Sequence, residues 1–327
     1  MKHVILISAV VALVGCVSTP KAVPNSPEAK AAPDFSRGGK IHVAAIQTTS
    51  VRYLAENQAT MERLIREAAS RGARYILLPE YYPAQLNNAP GTPLKEVRAG
   101  AETLDGPLAR HMLDLCRELG VYIGFPLAER RGDGHIYNST IYAGPNGIEG
   151  VYSKRILINL RKAAKRKAAA PKKPQRPRPY AFEEDEIYTY GKTDGVMNWG
   201  GVRIGALICA DGAFPNLYLA RVNKNVQLLC HPSGSAGVKK GGHNPMPNEA
   251  ARRYHTPVLF ANHYVRTIVH RGNSQICDTK GNILAHIGPK SDVVIDAVVT
   301  LAPLDAGETG ADDGPSPPPQ QEPDPNK

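Results

Sequence analysis

Short apolar runs alternate with helical segments along most of this 327-residue chain, and no other feature restricts its fold as strongly. The runs at 41–46 and 75–78 have the length of buried strands. The segment 54–71 places apolar residues on one helical face, and the segment 107–119 begins at a proline and is followed by a glycine. This alternation predicts a layered α/β domain with a mixed sheet or sheets.

The same pattern continues towards the C-terminus. Further strands are predicted at 121–125, 137–143, 148–153, 202–208, 226–229, 257–261, 272–278, 282–286 and 293–299, and further helices at 215–222 and 248–255. The sequence contains no dinucleotide-binding fingerprint and no complete P-loop, and its ten histidines show no metal-like spacing. We therefore expect neither a cofactor nor a metal.

The N-terminal segment differs from this body. Residues 1–15 combine a basic start with an apolar run too short to span a membrane, which is typical of a secretory signal peptide. Cys16 follows Leu-Val-Gly, as in a bacterial lipobox, so we predict a lipid on Cys16 and a membrane anchor; an ordinary cleaved signal is the alternative. Residues 16–39 are predicted to be a flexible tether. Val17, instead of Asp, favours the outer membrane, facing the periplasm, if the host is Gram-negative.

Two further segments have an unusual charge. Residues 302–327 contain six acids, one base and seven prolines, which predicts a disordered tail. Residues 161–178 contain nine basic residues and no acid, so most of the net charge of +10 lies in this insertion. It is either a solvated loop or a contact for an anionic lipid surface or another polyanion. The sequence has no nucleic-acid reader motif and no aromatics interleaved with these bases, so we expect no nucleic-acid partner.

Three predicted strands end in residues that can carry acyl transfer. One runs into Glu80, the second ends at Lys154, and the third ends at Cys209. Each residue alone is more often a packing or solvated loop residue. An acid, an amine and a thiol at three strand ends are nevertheless the groups that a thioester mechanism needs.

The motifs around these residues resemble a known family. LLPE, YSKRIL and LICADGAFP occur in the order of the three signatures of the nitrilase (carbon–nitrogen hydrolase) superfamily. IHVAAIQT, YNST, HPSG and GNS match other parts of its pattern. The resemblance covers roughly residues 40–301. It implies a four-layer α-β-β-α sandwich in a single domain, and a homodimer.

The resemblance also implies a role for each group. Cys209 would attack an amide carbonyl, and Glu80 would accept the thiol proton and pass it to the departing amine. Lys154 would stabilise the oxyanion and lower the thiol pKa, and the backbone N–H of Ala210 would be a second oxyanion donor. Asp211 stands where nitrile-cleaving members usually carry Glu, which favours amides.

A second glutamate orients the lysine in this family. Glu184 is the predicted equivalent, with Glu183 and Glu186 as alternatives. Ala210 replaces the aromatic residue that usually follows the cysteine, so no particular branch's substrate is transferred. The remaining cysteines of the body are expected to be packing residues: Cys116, Cys230 and Cys277.

These observations predict an exported, lipid-anchored cysteine hydrolase. It would cleave the C–N bond of a small linear amide or N-carbamoyl compound through a thioester intermediate, without a cofactor. Two alternatives remain: an acyltransferase that uses the same acyl-enzyme, and a catalytically silent envelope binding protein.

Overall fold

Two six-stranded β-sheets are stacked on each other in the computed structural model, which describes residues 33–49, 54–80, 98–158, 183–234, 245–264 and 272–304. The strands are β1 (Gly39–Gln47), β2 (Tyr75–Leu77), β3 (Tyr122–Arg130), β4 (Ile136–Gly144), β5 (Gly147–Ser153), β6 (Val196–Trp199), β7 (Val202–Ala206), β8 (Leu228–Ser233), β9 (Val258–Asn262), β10 (Gln275–Cys277), β11 (Ile283–His286) and β12 (Val293–Leu301). The helices are α1 (Leu54–Ser70), α2 (Pro107–Leu119), α3 (Pro215–Val222) and α4 (Pro245–Tyr254).

Both sheets are mixed, as the sequence predicts. The first has the order β12-β1-β2-β3-β4-β5 and the second β11-β10-β9-β8-β7-β6. Strands β1, β2 and β3 are parallel, whereas β3–β4 and β4–β5 are antiparallel, so β5 runs in the same direction as β2. In the second sheet β7, β8 and β9 are parallel. The carboxyl ends of β2 and β5 therefore lie at the same end of their sheet.

Three apolar clusters fill the interfaces between the layers. One lies between the two sheets and includes Trp199, Tyr75 and Tyr142. The second packs the first sheet against α1 and α2, and the third packs the second sheet against α3 and α4. Strands buried on both faces read as continuous apolar runs, which explains why residues 43–46 are apolar without interruption. These three interfaces confirm the four-layer α-β-β-α sandwich.

Several element boundaries differ from the predicted ones. Strand β6 (Val196–Trp199) was not predicted, and β7 ends at Ala206 instead of residue 208. Strand β8 extends to Ser233, beyond the predicted end at 229. Helix α4 begins at Pro245, three residues before the predicted start. The strands differ because backbone pairing, which sequence pattern does not encode, sets where they end.

The folded body extends past both predicted boundaries. The ring of Phe35, in the segment predicted as tether, makes an edge contact with Tyr75 at 6.5 Å between ring centroids. The amide of Gln227 donates to the backbone oxygens of Phe35 and Ala302, each at 2.7 Å, and the N–H of Leu304 donates to the oxygen of Ser36. These bonds fasten the two ends of the body together.

The remaining predictions for the terminal segments and for the basic insertion lie outside the described residues. These are the signal peptide, the lipid on Cys16, most of the tether and of the acidic tail, and the basic insertion 161–178. Within the described ranges, no helix has the length and apolar character needed to cross a membrane.

Candidate active site

The predicted acid, amine and thiol converge where chain segments leave the two sheets. Glu80 lies three residues beyond the end of β2, and Lys154 follows β5 directly. Cys209 begins a short 3-10 turn, Cys209–Ala213, which we call the cysteine turn. The side chains of Glu80, Lys154 and Cys209 are 1%, 0% and 8% exposed, so the cluster is almost completely shielded from water.

Glu80 is at the centre of this cluster. Its Oε1 accepts hydrogen bonds from Nζ of Lys154 and Nδ2 of Asn138, both at 2.8 Å, and its Oε2 accepts one from the backbone N–H of Gly234 at 2.8 Å. Its carboxylate also interacts electrostatically with the thiol of Cys209, and each group shifts the pKa of the other. Burial raises the pKa of Glu80, but the charge of Lys154 and these bonds outweigh burial and lower the pKa below its usual value. The group is therefore a carboxylate at neutral pH.

Lys154 lies between two carboxylates. Its Nζ donates to Oε1 of Glu80 at 2.8 Å and to both carboxylate oxygens of Glu184, at 2.8 and 3.0 Å. Burial disfavours the ammonium, but the charges of Glu184 and Glu80 outweigh it, so the pKa of Lys154 is raised well above its usual value. The lysine is a buried, permanently charged cation.

Glu184 is the glutamate that the structure places on the lysine. Its Oε2 also accepts a hydrogen bond from the N–H of Ile158 at 2.8 Å, which ties the chain beyond Lys154 to this carboxylate. Glu184 begins a second 3-10 turn, Glu184–Glu186. Glu183 and Glu186 form a reciprocal capping box around this turn, in which Oε2 of Glu186 accepts from the N–H of Glu183 at 3.2 Å. The geometry thus separates the three alternatives that the sequence left open.

Cys209 is held in an unusual backbone conformation. Its φ is +47°, in the left-handed region that residues other than glycine rarely adopt. Burial and the charge of Glu80 raise the pKa of the thiol above its usual value; Lys154 lowers it, as predicted, but by less. The net effect is opposite to the expected lowering. The thiol is therefore neutral at physiological pH, and the carboxylate of Glu80, whose charge acts on this thiol, is the nearby candidate to accept its proton.

Asp211 has a structural role that the sequence analysis missed. Its Oδ2 accepts hydrogen bonds from the hydroxyl of Tyr152 at 2.7 Å and from the N–H of Ile208 at 3.0 Å. Its Oδ1 accepts from the N–H groups of Ile156 at 2.8 Å and Arg155 at 3.2 Å. The carboxylate therefore joins the cysteine turn of one sheet to the strand end of the other.

The other expected groups have simple positions. Ala210 follows Cys209 within the cysteine turn. Cys230 lies in the core between the sheets, and Cys116 and Cys277 lie in the two clusters between sheet and helices. Burial raises the pKa of Cys116 and of Cys277 to about 12, which suits packing residues.

Asn138 contacts Glu80 directly, and the sequence did not predict this role, although the residue lies in the YNST motif.

The four-layer α/β sandwich agrees with the nitrilase-superfamily resemblance of the sequence motifs, and it brings the three motif residues Glu80, Lys154 and Cys209 together. A sequence model described as carbon-nitrogen hydrolase matches residues 42–306, and the chain belongs to this family.

Known relatives share this family at low identity. The chain is 25% identical over 264 residues to omega-amidase NIT2 of Danio rerio, covering 78% of this chain and 87% of that one. It is 26% identical over 288 residues to N-carbamoylputrescine amidase of Arabidopsis thaliana, covering 81% and 88%. Against a nitrilase of Pyrococcus abyssi, the 27% identical match spans only 58% of the relative's length.

Solved structures share the fold. A CN-hydrolase superfamily protein of Xanthomonas campestris, with an arsenic adduct in its active site, has a TM-score of 0.63 at 18% identity, covering 81% of this chain and 91% of that one. A variant of an amidase from Nesterenkonia sp., with the acetamide moiety of fluoroacetamide added covalently at its active-site cysteine, has a TM-score of 0.58 at 19% identity, covering 84% and 94%.

Proposed function

We propose that this protein is a cysteine amidase that cleaves the C–N bond of a small linear amide or N-carbamoyl compound through a thioester. One observation carries the proposal: the buried carboxylate of Glu80 accepts a hydrogen bond from the ammonium of Lys154 at 2.8 Å, and both charges act on the pKa of the buried thiol of Cys209. A base close to its nucleophile and a cation beside both are the groups that acyl transfer requires.

The first half-reaction forms the acyl-enzyme. Glu80 accepts the proton of Cys209 while the sulfur attacks the carbonyl carbon, and the electron pair of the C=O bond moves onto oxygen. The ammonium of Lys154 and the N–H of Ala210 stabilise this oxyanion. When the oxyanion collapses, the C–N bond breaks, Glu80 returns the proton to the departing nitrogen, and ammonia or an amine leaves. Cys209 then carries the acyl group as a thioester.

The second half-reaction uses water. Glu80, again a carboxylate, accepts a proton from water as the oxygen attacks the thioester carbon. The C–S bond breaks, and the thiolate of Cys209 recovers its proton from Glu80. The product is a carboxylic acid, or a carbamic acid from an N-carbamoyl substrate. Glu184 takes no proton in this cycle, because its role is to keep Lys154 charged and in place.

The names of the relatives support amides as the substrate class. An omega-amidase and an N-carbamoylputrescine amidase match across most of the chain, and the Nesterenkonia protein is an amidase. All three chemistries share a planar carbonyl bonded to nitrogen. In the proposed mechanism the thiol attacks this carbonyl, the base accepts the thiol proton, and the cation stabilises the oxyanion.

An amide panel with Cys209 variants tests the proposal. Purified wild-type protein is expected to release ammonia or amine from at least one linear amide or N-carbamoyl compound, and Cys209→Ala to release none. Fluoroacetamide is expected to add its acetamide moiety to Cys209, as read by peptide mass spectrometry. Cys230→Ala is the matched control, since it removes a buried thiol outside the site and should leave the labelling intact. No release and no labelling in the wild type would refute the proposal.

We further propose that the protein is exported and anchored to the cell envelope by a lipid on Cys16, and that it forms a homodimer. The apolar run with its small residue and cysteine supports the anchor. Metabolic labelling with palmitate should mark the wild type and not Cys16→Ser; equal labelling of both would refute the anchor. Light scattering on Cys16→Ser should give twice the monomer mass, and a monomer mass would refute the dimer.

The basic insertion 161–178 is proposed to contact anionic lipid, and its deletion should weaken binding to phosphatidylglycerol vesicles.

A further inference from the structure

A buried histidine lies directly behind the cysteine turn. The Nε2 of His231, in strand β8, is 3.0 Å from the backbone oxygen of Cys209, and its Nδ1 is 3.3 Å from the hydroxyl of Tyr218 in α3. The side chain is fully buried. His231 touches neither Glu80 nor Lys154 through a hydrogen bond in the described structure, so the proposed proton transfers do not use it.

The hydrogen bonds of His231 fix its tautomer. A backbone oxygen can only accept, so Nε2 carries the hydrogen and donates it to Cys209. Burial lowers the pKa of His231 to about 4, so the ring is neutral at physiological pH and its Nδ1 has a free lone pair. The hydroxyl of Tyr218 donates to that lone pair. The chain of donors therefore runs in one direction, from Tyr218 through His231 to the backbone of Cys209.

Packing holds the ring against the cysteine turn. The ring of Phe260 meets it edge-on, with 5.2 Å between centroids and an angle of 81°. On the opposite element, a Cβ added at Gly212 would lie 2.3 Å from Cε1 of His231, so the turn backbone contacts the imidazole with no space for a side chain. His231 therefore has little freedom to move relative to the turn.

The backbone oxygen of Cys209, which accepts the hydrogen bond from His231, and the N–H of Ala210 belong to the same peptide group. In a trans peptide the C=O and the following N–H point in opposite directions in one plane. A donor that fixes the oxygen of Cys209 therefore also fixes the direction of the Ala210 N–H. Hydrogen bonding to the oxygen additionally polarises the peptide and strengthens its N–H as a donor.

We propose that His231 is a positioning residue that holds the Cys209–Ala210 peptide so that the Ala210 N–H faces the oxyanion of the substrate. The inference rests on the proposed function, because it needs an acyl-transfer site at Cys209. The left-handed φ of Cys209 makes such support necessary, since a non-glycine residue relaxes from this conformation unless neighbouring groups hold it.

Two substitutions at one position test this role. His231→Leu fills a similar volume without a donor, and we expect kcat on the amide turned over by the wild type to fall about 10- to 100-fold with KM changed less than about threefold. His231→Gln keeps an N–H at a similar reach and should restore kcat to within about fivefold of the wild type. Alkylation of Cys209 by iodoacetamide forms no oxyanion, so its rate should stay within about twofold in both variants.

Tyr218→Phe gives a second measurement that does not alter the imidazole. It removes the donor to Nδ1 and leaves that buried lone pair unsatisfied, so only the oxygen of Cys209 still favours the Nε2–H tautomer. We therefore expect kcat to fall about three- to tenfold while alkylation persists. Unchanged kcat in His231→Leu, or equal loss of turnover and alkylation with no rescue by His231→Gln, would overturn the inference. A wild type that neither hydrolyses amides nor reacts with iodoacetamide would instead refute the proposed function.

Discussion

At the scale of single residues, the protonation states of Glu80 and Cys209 decide what chemistry the site can perform. Glu80 is a carboxylate with a lowered pKa, and Cys209 is a thiol with a raised pKa. One buried cation, Lys154, balances two carboxylates, so a preformed thiolate would add a third negative charge to the cluster. In the proposed mechanism the thiol therefore loses its proton only as the sulfur bonds to carbon, and the negative charge passes to an oxygen beside Lys154. The proposal thus requires Glu80 to act as a general base.

Replacing Glu184 by Gln should reduce turnover without abolishing it. The substitution keeps an acceptor for Lys154 but removes the charge that raises its pKa most. Oxyanion stabilisation should weaken, and we expect kcat to fall about 10- to 100-fold. Steady-state kinetics on the amide that the wild type hydrolyses measures the change.

Glu186→Gln is the control for this experiment. Its carboxylate bonds to the backbone of Glu183 and does not reach Lys154 through any hydrogen bond in the described structure. Kinetics within about threefold of the wild type are expected. A loss equal to that of Glu184→Gln would mean that the 3-10 turn as a whole, and not the Glu184 charge, supports the lysine.

The residues of the site differ in how far the sequence could predict them. Glu80, Lys154 and Cys209 lie in short motifs whose order along the chain is itself informative. Glu184 is one of several adjacent acids, and only the three-dimensional path of its turn separates it from Glu183. Asn138 could not be assigned, because its contact with Glu80 depends on how β4 is placed relative to the end of β2.

At the scale of secondary-structure elements, Asp211 connects the two sheets at the site. Its carboxylate is completely buried, and burial raises its pKa, so leaving it ionised has an energetic cost. Four hydrogen bonds compensate for that cost, and three of their donors are backbone N–H groups. The cysteine turn is therefore attached to the chain segment beyond Lys154 by a group that has no part in the chemistry.

Asp211→Asn should destabilise the protein and disturb the cysteine turn together. The new NH2 group would replace an acceptor oxygen and would itself face N–H or O–H donors, so two donors would be left opposite each other. We therefore expect a loss of about 3 kcal/mol in the free energy of unfolding. Tyr152→Phe removes a single hydroxyl donor to the same carboxylate and should cost about 1 kcal/mol. Urea unfolding measures both values. Equal, small losses would contradict the role of Asp211 as the main link.

The elements themselves were largely predictable from periodicity, and the exceptions have physical causes. Strand β6 is short and lies at the edge of its sheet, but the Gly200–Gly201 pair after it, with φ of +57° and +81°, is a hairpin signal that was overlooked. Strand β3 continues through Pro126 to Arg130, whereas the predicted strand ends at residue 125. Its parallel partner β2 has already ended by then, so no N–H is needed on that side.

At the scale of the whole molecule, the site requires both sheets. The first sheet supplies Glu80 and Lys154, which follow strands β2 and β5, and Asn138, which lies in β4. The second sheet supplies Cys209 and Gly234, which follow β7 and β8. Because these groups are buried together in one cluster, forming the site and packing the sheets together are linked. Charge in the cluster should therefore affect the stability of the entire fold.

Lys154→Met should reverse the pH dependence of global stability on the acid side of neutrality. In the wild type the pKa of Glu80 is lowered, so its contribution is complete above about pH 4.5 and is lost only as the pH falls through the lower folded value. Without the cation, burial raises the pKa of Glu80 above its unfolded value. Unfolding the variant at pH 8 should then require about 3–5 kcal/mol less free energy.

As the pH falls from about 8 to 5, Glu80 in Lys154→Met takes up a proton that the unfolded chain does not bind, so the variant should gain stability, by at most about 1.4 kcal/mol per pH unit. Over the same range Glu80 adds no such slope in the wild type. Urea unfolding at several pH values compares the two proteins, and the double variant Glu80→Gln/Lys154→Met should lose the slope. A slope that persists in the double variant would show that another group carries it, and would disprove the assignment of Glu80 as the carboxylate whose charge Lys154 compensates.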